Sequence, residues 1–73
     1  MKYDIKITGL PQFSRQFDNL LSAEDNVRMM IQKIPQHIQN IYIDEYENDG
    51  EIFRATGTWF RFEKSIGEFV RNN

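Results

Sequence analysis

Residues 38–63, IQNIYIDEYENDGEIFRATGTWFRFE, read as two alternating runs joined by a turn, and their pairing decides the fold. Asp49-Gly50 between such runs predicts a β-hairpin, because a type I′ turn requires positive φ at both central residues. Closing the turn over Asn48-Asp49-Gly50-Glu51 sets Asn48 opposite Glu51, Tyr42 opposite Gly57 and Glu45 opposite Arg54. One face then carries Tyr42, Tyr46, Phe53, Ala55, Gly57 and Trp59. The other carries Ile41, Ile43, Ile52, Thr56, Thr58, Phe60 and Phe62. Both faces are apolar, whereas a hairpin on a small domain ordinarily has one wet face. The spare face raises the question of what covers it.

Outward from the hairpin, Lys2 to Thr8 alternates, with Tyr3, Ile5 and Ile7 on one side and Lys2, Asp4, Lys6 and Thr8 on the other. This is the pattern of a half-buried strand ended by Gly9. From Leu10 the period changes: Leu10, Phe13, Phe17, Leu20, Val27, Ile31 and Ile34 follow steps of three and four, which predicts helix and a core-facing stripe. One helix from Pro11 to Ile34 would run about 36 Å at 1.5 Å per residue, longer than the roughly 29 Å diameter of a compact chain of this size. A break is therefore expected, and Ser22 can cap a second helix over Ala23–Ile34, with Glu24 and Asp25 in its first turn. The first helix would span Pro11–Leu21, and the unbroken helix is the alternative. Pro35 ends the second by disfavouring helical geometry in the residue before it. Lys64 to Arg71, with Ile66, Phe69 and Val70 at helical spacing, predicts a short C-terminal helix that must pack to persist.

The expected fold is therefore a single α+β domain over residues 1–73 in the order β-α-α-β-β-α. It has a three-stranded sheet whose Tyr3, Ile5, Ile7, Ile41 and Ile43 face lies under the helices. A helical crossover between the first strand and the Ile38 strand allows a parallel pairing. The face with Tyr42, Tyr46, Phe53 and Trp59 is left to the C-terminal helix, a second copy of the chain, or a partner.

Composition narrows the function. A chain of 73 residues buries only about 60 % of its unfolded surface, so its stability is small unless something braces it. Cysteine is absent, which removes disulfides, thiolate metal sites and cysteine nucleophiles together. Nine basic and eleven acidic side chains give a net charge of −2, which offers no long-range attraction to phosphate. Met1-Lys2-Tyr3-Asp4 lacks the apolar run of a signal peptide, and no segment approaches a membrane span, so a soluble cytoplasmic protein is expected.

Tests for chemistry fail in turn. His37 is the one histidine, and none of Ser14, Ser22 and Ser65 stands in a Gly-x-Ser-x-Gly elbow, so no enzyme is expected. Asp44 to Glu51 is rich in carboxylates, but with Gly50 at the sixth place of a calcium loop, Thr56 falls where a bidentate Glu is needed. No cofactor or metal is expected. Rings on a sheet can stack unpaired bases, and Arg54 to Phe62 interleaves rings with arginines. The neighbouring turn is acidic, however, and phosphate neutralisation supplies most nonspecific affinity.

The reading favoured by these residues is a non-catalytic module that docks on a larger protein as an inhibitor, adaptor or regulatory protein. Trp and Tyr commonly anchor such interfaces. The expected patch is Tyr42, Tyr46, Phe53, Trp59 and Arg61, with Glu45, Glu47, Asp49 and Glu51 as an acidic rim. The small size and lack of catalytic groups suit a phage or mobile-element protein aimed at a host factor. The alternatives are self-association as a homodimer and single-stranded RNA binding through the same rings.

Overall fold

The computed structural model describes residues 1–33 and 40–73. The expected helix end at Ile34, His37 and the hairpin start at Ile38 lie outside the described residues. The order is β1 (Lys2–Ile7), β2 (Leu10–Phe17), α1 (Leu20–Ile31), β3 (Ile41–Asp49), β4 (Ile52–Glu63) and β5 (Glu68–Asn72). The strands form one five-stranded sheet in the order β2-β1-β3-β4-β5, with every neighbouring pair antiparallel. This corrects the expected three-stranded sheet with two long helices and a C-terminal helix. It also corrects the parallel pairing, because β1 meets β3 antiparallel, with Ile5 opposite Ile43 and Ile7 opposite Ile41.

The segment expected as the first helix is β2. Phe13 and Phe17 are four apart, and an even step fits the strand period of 2 as well as the helical 3.6. The odd step from Leu10 to Phe13 is absorbed by a bulge. Ile5 pairs with Arg15 but Ile7 pairs with Leu10, so Pro11 to Ser14 stand opposite Lys6 alone. Proline in an edge strand sacrifices no ladder bond when it sits at such a bulge.

The helix begins at Asn19, not at Ser22. Asn19 is extended (φ −141°, ψ 155°), and its side chain accepts from the Ser22 backbone N–H at 2.8 Å. Ala23 and Val27, one turn apart and fully buried, press on Ile5, Ile7, Ile41, Ile43 and Phe60. Tyr3, Phe13, Phe17, Leu20, Met30, Ile31, Phe62 and Phe69 close the margins of this core. The Arg15 guanidinium donates to Asn26 Oδ1 at 3.2 Å and ties β2 to α1. No helix of the described residues is long and apolar enough to cross a membrane.

The hairpin is present with a different register. Its loop is Gly50-Glu51, since Asp49 pairs with Ile52. Only Gly50 of the two has positive φ (72°), the pattern of a type II′ rather than a type I′ turn. Farther in, Asp44 pairs with Trp59 but Tyr46 with Ala55, so Thr56-Gly57-Thr58 bulge opposite Glu45. Gly57, at φ 88°, makes the bulge feasible, and Thr56 Oγ1 accepts from the Thr58 N–H at 3.1 Å. Tyr42 thus lies opposite Arg61 rather than Gly57, and Arg54 opposite Glu47 rather than Glu45. Every displacement is an even number of residues, so each side chain stays on the face its alternation assigns.

Lys64 to Arg71 keeps one helical turn, closed by Gly67 N–H to Glu63 C=O at 2.9 Å. Gly67 then takes φ 68° and turns the chain back as β5, where Phe69 meets Phe62 edge to face at 5.1 Å. The ladder with β4 satisfies the backbone of a segment too short to be a stable helix.

These caps give a direct check. Asn19→Ala should lower stability by about 1 kcal/mol in urea or thermal unfolding, whereas Ser22→Ala should stay within about 0.5 kcal/mol of the parent.

Candidate functional site

Because α1 lies over one side of the sheet only, the other side is left without a covering element among the described residues. Alternation and register place Lys2, Asp4 and Lys6 of β1, Tyr42, Asp44 and Tyr46 of β3, and Trp59 and Arg61 of β4 there. The C-terminal segment expected to lie over the rings is instead β5, beside β4 in the sheet.

Tyr42 and Trp59 meet edge to face, centroids 5.9 Å apart and planes at 75°. This is a preferred aromatic geometry, worth about 0.5–1.5 kcal/mol beyond area burial. They border a shallow hollow of about 520 Å³, whose other described lining residues are Thr8, Asn40, Asp44 and Arg61. The Arg61 guanidinium is held by Glu63 at 3.2 Å.

Two carboxylates face each other across β1 and β3, Asp4 opposite Asp44, and their surroundings differ. Asp4 is only 3 % exposed. It accepts from Ser14 Oγ at 2.8 and 2.9 Å and from the Arg15 N–H at 3.0 Å, and it pairs with Lys6 Nζ at 2.9 Å. The β2 bulge supplies two of these donors. The bond to Asp4 raises the Lys6 ammonium pKa against a smaller opposing effect of burial. Asp44 receives no hydrogen bond or ion pair from any described residue. Burial pushes its carboxyl pKa up, the Asp4 charge adds to the rise, and Lys6 opposes it.

The residues expected at the site divide. Tyr42, Trp59 and Arg61 come together around the hollow. Tyr46 is on the same face farther along β3, opposite Lys2 and Ala55, and Phe53 lies toward the hairpin tip opposite Asn48. The four acids do not form a rim around the rings. Glu45 is turned to the helix side, where it accepts from Thr56 Oγ1 at 2.9 Å. Its charge also acts on the Tyr3 hydroxyl, whose pKa is raised chiefly by burial and further by this carboxylate. Glu47 stands opposite Arg54, Asp49 is bonded to Arg54 Nε at 3.3 Å, and Glu51 is in the turn. Sequence reasoning missed Asp4, Lys6, Thr8 and Asn40 as neighbours of the rings. The alternation of Asp4, Lys6 and Thr8 marks a shared side of the first strand, and Asn40 directly precedes β3, but only the β1–β3 pairing brings them to Tyr42. Among the described residues no group of three or more His, Asp or Glu is placed to hold a metal ion.

The sequence matches no protein-family model, and no curated protein or solved structure is significantly similar to it.

The Asp4–Asp44 pair predicts a sign for pH dependence. Asp44 has a higher pKa folded than its ordinary value of 3.8. The folded chain therefore holds more protons than the unfolded chain between those two values, and this group makes stability fall as pH rises through that window. Asp44→Asn should raise the melting temperature at pH 7, by an amount equivalent to about 0.2–1 kcal/mol. The gain should shrink as the pH is lowered through the carboxyl range, which thermal unfolding at several pH values would read out.

Proposed function

We propose that the chain is a non-catalytic binding module that docks on a larger protein through the open sheet face, in an inhibitory, adaptor or regulatory role. The observation that carries this reading is that large rings, Tyr42 and Trp59, stand on a sheet face with no described element over them. Aromatic anchors at the centre with polar groups around them are the usual pattern of a protein interface. The cations of this face support a protein partner over nucleic acid, because each is already joined to an acid. Lys2 is bonded to Asp18, Lys6 to Asp4 and Arg61 to Glu63. A phosphate backbone would have to break these pairs to gain its usual contacts.

Affinity capture from nuclease-treated cell extract, with the parent and a folded Trp59→Ala variant side by side, tests the reading. The expected result is a protein retained by the parent and lost, or reduced at least about tenfold, by the variant, the effect of removing an interface hot spot. Retention that disappears with nuclease, with oligonucleotide affinity falling steeply as salt rises, would transfer the face to single-stranded nucleic acid. A dimer in sedimentation that Trp59→Ala dissociates would transfer it to self-association.

A further inference from the structure

The hollow beside Trp59 holds a charge that its surroundings answer only in part, through the nearby Lys6 ammonium. Asp44 lines it, half-buried, with no hydrogen bond or ion pair from a described residue. The nearest cations are bonded elsewhere, Lys6 to Asp4 at 2.9 Å and Arg61 to Glu63 at 3.2 Å. The cation–π contacts among the described residues lie on the helix side, Arg15 over Phe13 at 5.7 Å and Arg28 over Phe69 at 5.3 Å. No described cation is placed over the ring of Tyr42 or Trp59, and their near-perpendicular planes give the hollow two aromatic walls. Asp44 also costs the fold stability, since it faces Asp4 across the ladder and is partly desolvated. A carboxylate that lines an open hollow and makes no internal hydrogen bond has its acceptor positions free for a ligand.

We propose that this hollow receives one cationic side chain, arginine or lysine, from the docking partner, with Asp44 as its counter-ion and Tyr42 and Trp59 as its aromatic walls. The inference rests on the docking reading and names the chemistry of the partner's anchor. A cation over Trp or Tyr is attracted by the ring quadrupole, more strongly where water is excluded. A carboxylate with no internal donor has its acceptor positions available for the ammonium or guanidinium hydrogens. An anion entering the same space would stand against Asp44, so charge complementarity selects a basic partner.

The chain has one tryptophan, so fluorescence and the indole N–H resonance both report on this hollow. The full chain is titrated at constant ionic strength with N-acetyl-arginine amide and N-acetyl-lysine amide, against N-acetyl-citrulline amide as the neutral isostere of arginine. The expected result is a saturable shift of the Trp59 indole resonance with the cationic probes and little response to the neutral one. Asp44→Asn should weaken the cationic probes about tenfold, as for loss of one charge-assisted hydrogen bond. The variant's unchanged spectrum elsewhere would show that its fold is intact. An equal response to citrulline, an Asp44→Asn variant that binds as well as the parent, or the absence of a saturable shift would overturn the proposal. A saturable shift with inorganic phosphate in place of the cations would also overturn it. If the cations fail while Trp59→Ala still loses its captured protein, the cation pocket is wrong and the docking reading stands.

Discussion

The contact on which everything else depends is the seating of Ala23 and Val27 against the isoleucines of β1 and β3. Alanine at the centre of the helix face lets α1 approach the sheet closely, and Val27 one turn later fills the space above Ile5, Ile41 and Ile43. With one helix available among the described residues, this contact decides which side of the sheet becomes core and leaves the reverse side to solvent. A sheet of five strands cannot keep such a side wholly apolar and remain dispersed in water. The open side accordingly alternates rings with charged residues, most of the charges being internally paired.

Those pairs show how donor supply, rather than burial alone, sets the character of a carboxylate. Asp4 is the more deeply buried of the facing acids, yet it is bonded on every side, because the β2 bulge turns Ser14 and the Arg15 backbone toward it. Asp44, one strand over, lies beside the β4 bulge, but the Thr56 hydroxyl of that bulge donates to Glu45 on the helix side instead. A carboxylate left in that condition costs free energy when charged, a cost that the nearby Lys6 charge offsets in part. The two acids therefore divide the face into a half beside β2 whose carboxylate is bonded internally and a half beside β4 whose carboxylate, among the described residues, is not.

The faces of the strands were legible in the sequence, the five-stranded antiparallel fold was not, and the failures have specific causes. The alternation of Tyr3, Ile5 and Ile7, the Gly50 turn and the sorting of rings from isoleucines all survive, because face assignment needs only parity. Register needed more: the bulge at Gly57 inserts residues that a simple alternation absorbs without trace. The Phe13–Phe17 spacing fitted both periods, and the strand prevailed once β1 offered a ladder. Ser22 and Asn19 are both good caps, and the choice turned on where β2 ended. The C-terminal stripe of Ile66, Phe69 and Val70 has helical spacing, but Gly67 lets the chain reverse and β5 pairs with the open edge of β4. The Asp4–Asp44 opposition is a matter of topology, which the local patterns do not contain.

The hairpin outlasts its neighbours. β1 reaches β3 only as far as Tyr46, and β5 reaches β4 only from Trp59 onward, so Glu47–Asp49 and Ile52–Arg54 pair with each other alone. Opening this arm breaks a few ladder bonds and the Arg54–Asp49 ion pair, whereas freeing Ile5 or Ile43 requires the whole core to come apart. A molecule lying along the open face from Trp59 to Phe53 would thus find a seat braced by neighbouring strands at one end and a two-stranded ribbon at the other. Its hold would be decided near the bulge, where the sheet is widest, and less toward the tip, where each strand has one neighbour.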